Sequence, residues 1–171
     1  MPLRALLDSN IYAAFLIGGL KVLHIKLERL KSLGSVRICG LAAIRRELKD
    51  APKKLPGYNG NYVIDLLRLY DGLVDKDYEA DERMEKLVQA YFLAYKGCGG
   101  GITEAKLSND FLIVACASLK GIDVVVSDDK SSMLNAYAKK AYDAVNGAAR
   151  LAVPRFLSLQ EFTTLIERLS R

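Results

Sequence analysis

Four acidic residues stand out because each borders or interrupts an otherwise apolar segment. They are Asp8, Glu47, Asp110 and Asp129. Carboxylates that are brought to one place repel one another, and this raises their pKa values unless a cation neutralises them. Hard divalent cations take oxygen ligands, and Mg²⁺ sites typically combine one or two carboxylates with water and substrate phosphate. If the fold brings these acids together, the sequence therefore predicts a Mg²⁺ or Mn²⁺ site.

Two of the acids follow segments that are typical of buried strands. Asp8 comes directly after the apolar run 3–7, and the tripeptide DSN that it opens favours local turns over regular structure. The β-branched run 122–127, IDVVVS, likewise ends on acid. In open α/β sheets, ligands bind at the carboxyl ends of the strands. We therefore expect Asp8 and Asp129 to lie at one edge of a parallel sheet.

The IDVVVS strand ends on two neighbouring acids, Asp128 and Asp129, and either could face the site. In an extended chain, alternate side chains share a side, so Asp129 lies on the same side as Ser127. This favours Asp129 as the ligand and leaves Asp128 as the alternative.

The remaining segments alternate between helical and strand patterns, which predicts a parallel sheet covered on both faces. A further strand is predicted at 35–39, ended by Gly40, and a last one at about 151–156. Asp110 is expected to open a buried helix that Thr103 or Ser108 caps. The predicted helices are 11–34 in two parts divided near Gly18, 41–50 with Glu47, 62–74, 79–95, about 103–120, 132–145, and a closing helix with a capping box of Ser158 and Glu161.

Composition excludes several classes of protein. The 171 residues are 51% hydrophobic and 26% charged. No apolar stretch is long enough for a membrane span, and the balance is that of an ordinary globular protein. Three cysteines without CxxC spacing argue against a disulfide framework or a zinc knuckle and for a reducing, cytoplasmic location. The single histidine, His24, argues against histidine-based acid–base chemistry.

The net charge of +5 favours a polyanionic partner. Two lysine doublets are candidates for phosphate contacts, Lys53–Lys54 and Lys139–Lys140. A basic surface next to an acidic metal pocket is what a phosphodiesterase that acts on nucleic acid needs, because one or two ions can activate water and hold the phosphate.

Four segments resemble PIN-domain nucleases, a family that includes VapC-like toxins and archaeal-type PIN ribonucleases. They are LLDSNIYAAFL, RREL around Glu47, SNDFLIVACASLKG and VVVSDDK, and they follow the family's order along nearly the whole chain. The resemblance implies one PIN-like domain over 1–171, a three-layer α/β/α fold with a central, mostly parallel sheet of four or five strands flanked by helices. The segment at about 51–101 is then a helical insertion.

The resemblance also implies a Mg²⁺- or Mn²⁺-dependent endoribonuclease. Asp8, Glu47, Asp110 and Asp129 would be catalytic, with Asp8, Asp110 and Asp129 on the metal and Asn10, Ser127 and Asp128 in support. The family further implies a homodimer and, for a toxin, an antitoxin protein as partner.

Two other functions are compatible with the sequence. A non-catalytic RNA-binding or scaffold protein would use the basic surface alone. A phosphoacceptor or phosphatase with Asp8 as nucleophile would need a second carboxylate two residues on, where this sequence has Asn10.

Overall fold

The computed structural model describes all residues from 1 to 171 as five strands and eight helices. The strands are β1 (Leu3–Leu7), β2 (Val36–Leu41), β3 (Lys76–Tyr78), β4 (Val124–Val126) and β5 (Arg155–Leu157). The helices are α1 (Ser9–Ile17), α2 (Lys21–Ser32), α3 (Ala42–Lys49), α4 (Tyr62–Leu73), α5 (Glu82–Gly97), α6 (Glu104–Lys120), α7 (Ala136–Ala149) and α8 (Leu159–Leu169).

All five strands are parallel and lie in the order β3-β2-β1-β4-β5. The chain builds the sheet outward from β1 to β3 and then returns to the other side of β1 for β4 and β5. Because crossovers between parallel strands are right-handed, this reversal puts the two sets of connecting helices on opposite faces. One set packs α1, α3 and α4 together, and the other packs α5 against α6 and α7. The predicted α/β class with a parallel sheet between helices is confirmed.

The central strands β1 and β4 form because they are apolar on both faces. Ala5, Leu6 and Leu7 are completely buried, and the three valines of β4 are at most 1% exposed. A strand covered by helices on both sides has no face for polar residues, which explains the continuous apolar runs. Each buried run stops where the chain leaves the sheet, Ala5–Leu7 at Asp8 and Val124–Val126 at Ser127, whereas Arg4 near the start of β1 is only half-buried.

Several helices form as the sequence predicts. The first helical segment is divided at Gly18 and Gly19, and the closing helix α8 begins with the predicted capping box of Ser158 and Glu161. The apolar stripe of α5 is buried through Tyr91 and Tyr95, both at most 1% exposed. These tyrosines therefore belong to the core.

Several positions differ from the predictions. Helix α6 begins at Glu104, directly after Thr103 as one of the two predicted starts has it, so Asp110 lies two turns inside the helix and does not open it. Helix α7 begins at Ala136 because Asn135 caps it, accepting a hydrogen bond from the Ala138 N–H (2.9 Å). The last strand is only β5, the three residues from Arg155.

Gly40 does not end the second strand, since β2 continues to Leu41. A Cβ at this position would lie 2.7 Å from Val74 Cγ1 and 2.8 Å from Asp77 Oδ1, and closer still to the Tyr70 hydroxyl. The glycine is thus required because side chains from α4 (Tyr70), from its C-cap (Val74) and from β3 (Asp77) lie close to the backbone of β2. Segment 51–101 contains α4, β3 and α5, and β3 joins the sheet beside β2.

A buried polar network ties the helices on the second face together. The Tyr91 hydroxyl donates to Asn146 Oδ1 (2.5 Å), and Asn146 Nδ2 donates to Ser118 Oγ (2.8 Å) and to the Ala152 carbonyl (3.1 Å). Asn146 is completely buried, so these partners satisfy groups that have no access to water. None of the eight helices combines the length and the apolar character that crossing a membrane requires.

Candidate functional site

The candidate site lies where the strand order reverses, at the carboxyl ends of β1 and β4. In open parallel sheets this switch point leaves a crevice, because the helices that follow the two strands diverge to opposite faces. Asp8 follows β1, and Ser127 follows β4. The neighbouring strands are in register, with Leu7 beside Val126, so these two side chains come out of the sheet next to each other.

Asp8 is only 4% exposed, and three donors hold its carboxylate. Oδ1 accepts from the Ser9 N–H (2.7 Å) as the N-cap of α1, and Oδ2 accepts from Asn10 Nδ2 and from Ser127 Oγ, both at 2.7 Å. Burial raises the pKa of Asp8, and the negative charges of Glu47 and Asp129 act in the same direction, whereas the hydrogen bonds from Ser127 and from the Ser9 N–H lower it. The carboxylate is thus fixed in position and lies among like charges.

Asn10 and Ser127 link the two strand ends. Asn10 Nδ2 also contacts Ser127 Oγ (3.2 Å), and its Oδ1 accepts from the Asp128 N–H (3.4 Å). Ser127 Oγ in turn accepts from the Asp129 N–H (3.1 Å). The two residues that the resemblance assigned to support therefore orient Asp8 and the loop after β4.

Asp110 and Asp129 are bridged by a residue that the sequence analysis did not single out. The Ser132 hydroxyl contacts Oδ2 of Asp110 and Oδ2 of Asp129, the latter at 2.6 Å. The other Asp129 oxygen accepts from the N–H (2.8 Å) and hydroxyl (2.7 Å) of Ser131. Although Asp110 is two turns inside α6, its carboxylate meets the loop after β4.

One hydroxyl carries one proton, so Ser132 donates to only one of these carboxylates at a time. The second contact needs a proton on a carboxyl group. Burial raises the pKa of Asp110 to about 7, and the negative charges of Asp8 and Asp129 contribute to this rise. The hydrogen bond from Ser132 acts in the opposite direction. Burial also acts to raise the pKa of Asp129, but the hydrogen bonds from Ser132 and Ser131 outweigh it and the pKa is lowered. Asp110 is therefore the carboxyl group that holds a proton near neutral pH.

Glu47 reaches the same edge from α3. Its Oε1 accepts a hydrogen bond from the Ser9 hydroxyl (2.8 Å), directly after Asp8. Its negative charge contributes to raising the pKa values of both Asp8 and Asp110. The structure thus brings the four acids singled out in the sequence to one edge of the sheet.

Asp128 is directed elsewhere. Its Oδ1 accepts from the Leu159 N–H at the start of α8 (3.0 Å), whereas Asp129 is engaged by Ser132 at the acidic cluster. Of the four candidate lysines, all of which are exposed, Lys139 lines a cleft beside Ser127.

The donor chemistry fits a hard divalent cation, since the site offers carboxylate and hydroxyl oxygens and no soft ligand. The side chains do not form a preassembled coordination shell, because no group of three or more acidic, His or Cys side chains is arranged to hold one ion. The carboxylates of Asp8 and Asp110 are occupied by hydrogen bonds instead. An ion ligated by Oδ2 of Asp110 and Oδ2 of Asp129 would compete with the Ser132 hydroxyl for these two oxygens.

The sheet order and the flanking helices define a PIN-like three-layer α/β/α fold. The fold is similar to that of a chain in the crystal structure of VapBC2 from Rickettsia felis bound to a DNA fragment from their promoter. The TM-score is 0.58 at 12% sequence identity, and the match covers 91% of this chain and 98% of that chain. At this identity the likeness shows the fold alone. No protein-family model matches the sequence, and no curated protein matches it.

Proposed function

We propose that this protein is a metal-dependent endoribonuclease that hydrolyses RNA phosphodiester bonds with Mg²⁺ or Mn²⁺. The observation that carries the proposal is the convergence of Asp8, Glu47, Asp110 and Asp129 at the switch point between β1 and β4. The raised pKa values of Asp8 and Asp110 reflect burial together with repulsion among these acids. Such a cluster is costly unless a cation neutralises it.

A divalent ion bound by Asp8, Asp110 and Asp129 would polarise the phosphate and activate the attacking water. The chain's own contribution is positioning. Asp8 is held rigidly through Asn10 and Ser127, so it provides a fixed carboxylate at the centre of the site. Asp110 must give up its proton before it ligates, and its pKa of about 7 allows this near neutral pH.

A cleavage assay tests the proposal. We expect the wild-type protein to cut labelled single-stranded RNA in the presence of Mg²⁺ or Mn²⁺ and not in the presence of EDTA. The Asp8→Asn and Asp110→Asn variants should fold but should not cut the RNA. Asp143→Asn is the matched control, because Asp143 is exposed on α7, so its cutting should equal wild type. Equal rates for all variants would overturn the proposal. RNA binding without cutting, unchanged by EDTA, would favour the non-catalytic RNA-binding alternative.

A protein partner of the antitoxin type forms part of the same proposal. The resemblance to VapC-like toxins and the fold shared with the VapBC2 chain both favour it. Expression in a bacterial host should then arrest growth, and Asp8→Asn should relieve the arrest. Unimpaired growth with cleavage intact in vitro would favour an RNA-processing role instead. A homodimer and a cytoplasmic location stay predictions.

A further inference from the structure

A cleft of about 540 Å³ opens beside the acidic cluster, between the loop after β4 and the start of α8. Ser127, whose hydroxyl donates to Asp8, forms part of its wall. The opposite wall contains Ser158 and Glu161, the capping box of α8. Ser127 therefore contacts the acidic cluster through its hydroxyl and belongs to the wall of the neighbouring cleft.

The cleft carries more positive than negative charge. Lys130 and Lys139 line it, and Arg155 and Arg168 line a neighbouring cleft of about 490 Å³ that shares Leu157, Gln160 and Glu161 with the first. None of these four cations forms a salt bridge within 4.0 Å. Glu161 is the one carboxylate that lines these two clefts, and Asp128 lies beside Lys130 in an adjoining cleft. Four cations therefore face two carboxylates, so the two clefts together are basic.

Glu161 does not neutralise these cations by direct pairing. Its Oε2 accepts from the N–H and from the hydroxyl of Ser158, both at 2.8 Å. These hydrogen bonds lower the pKa of Glu161, and the positive charges of Lys130 and Arg155 lower it by a smaller amount. The capping box keeps the carboxylate at the helix end and leaves the ammonium groups of the cleft free for another anion.

We propose that the two clefts bind the backbone phosphates of single-stranded RNA that flank the bond cleaved at the acidic cluster. This inference rests on the proposed nuclease function and extends it by naming a substrate subsite. Lys130 and Lys139 contact the nearer phosphate group, and Arg155 and Arg168 contact the chain further along α8.

Size and wall chemistry favour a single strand over a duplex. A cleft of this volume is in the range of pockets that enclose a small ligand, and it therefore accommodates one or two nucleotides. Leu134, Phe156 and Leu157 add an apolar wall against which sugars and bases can pack. Grooves that combine cations with an aromatic side chain are typical of single-strand binding.

All variants are made in Asp110→Asn protein, so that RNA is bound and not cut. The test measures the binding of a fluorescein-labelled 12-nucleotide RNA by fluorescence anisotropy at KCl concentrations from 50 to 300 mM. The cleft variant is Lys130→Ala/Lys139→Ala. The control is Lys76→Ala/Lys86→Ala, which removes the same charge from exposed residues at the start of β3 and on α5. All four lysines are exposed, so both variants are expected to fold.

We expect the cleft variant to bind at least tenfold more weakly at 50 mM KCl than the control. The slope of log K against log salt should fall by about 1.4 in magnitude, because each phosphate contact on a single strand contributes about 0.7. Equal affinities and slopes for the two variants, with wild-type protein cutting RNA in Mn²⁺, would overturn the subsite and leave the nuclease standing. If the Asp110→Asn protein does not bind RNA and wild type does not cut it, both proposals are wrong.

Discussion

Replacing Asp110 with Asn should stabilise the metal-free protein at neutral and alkaline pH. The carboxyl group lies among Asp8, Asp129 and Glu47, and burial together with these charges raises its pKa from 3.8 to about 7. An acid with a raised pKa binds its proton more tightly in the folded state than in the unfolded state. Stability is therefore lost as pH rises from about 4 to about 7 and stays low above that range.

The magnitude follows from the size of the pKa change, which is a rise of about three. Each pKa unit corresponds to about 1.4 kcal/mol, so the charged carboxylate costs at most about 4 kcal/mol. Asp110 is partly exposed, and water screens part of this cost. We expect Asp110→Asn to raise the free energy of unfolding by about 1–3 kcal/mol at pH 8. At pH 4 the two proteins should be nearly equal.

Urea unfolding at pH 4, 5, 6, 7 and 8 in EDTA measures this difference. Asp143→Asn is the control and should follow the wild-type curve at every pH. Addition of Mn²⁺ at pH 8 should stabilise wild type, by about 2.7 kcal/mol at a concentration one hundred times Kd, and should stabilise Asp110→Asn much less.

Parallel curves for wild type and Asp110→Asn between pH 4 and 8 would refute this reasoning, because the carboxyl group would then carry no electrostatic cost. A variant that is less stable than wild type at pH 8 would refute it too. In that case the contact with Ser132 would outweigh the repulsion between the acids.

Three further substitutions test the packing around the site. A Cβ added at Gly40 would lie 2.7 Å from Val74 Cγ1. Gly40→Ala should therefore lower the free energy of unfolding in urea by about 1–3 kcal/mol, and no change would contradict the packing described. Asn146→Ala should cost about 1–3 kcal/mol in the same assay, because the Tyr91 hydroxyl and the Ala152 carbonyl lose their hydrogen bonds to Asn146 and the hydroxyl keeps only its 3.3 Å contact with Ser118 Oγ. A neutral effect would show that the network contributes nothing. Ser132→Ala should cost about 1.5–3 kcal/mol in EDTA at pH 7, since a hydrogen bond to a charged carboxylate is lost, and wild-type stability would argue against the bridge.

Much of the fold could be predicted because the deciding forces act within short segments. The apolar runs of β1 and β4 and their polar ends follow from burial on both faces, and the stripe through Tyr91 follows from helical periodicity. Strand β3, with the sequence KDY, has no such pattern. It is a strand because β2 pairs with it, Cys39 lying beside Lys76. Pairing of this kind depends on contacts with a neighbouring strand that is distant in sequence, so it cannot be predicted from the segment alone.

The candidate site shows the same division between local and long-range information. The acids could be identified because each borders or interrupts an otherwise apolar segment. The Ser132 bridge was missed because it joins residues 22 apart in sequence, and no periodicity connects Asp110 to the loop after β4. Two serines directly after DDK were the available signal, since hydroxyl groups that follow an acid often bond its carboxylate in turns. The cleft beside Ser127 depends on α8, which lies at the other end of the chain.

A crystal structure with Mn²⁺, phased on the anomalous signal of the metal, tests the central claim most directly. We predict an anomalous peak at the switch point from an ion that Asp8, Asp110 and Asp129 coordinate, with Ser132 no longer bridging the last two. A map in millimolar Mn²⁺ at pH 8 with no peak at this edge, and with Ser132 still bound to both carboxylates, would contradict it.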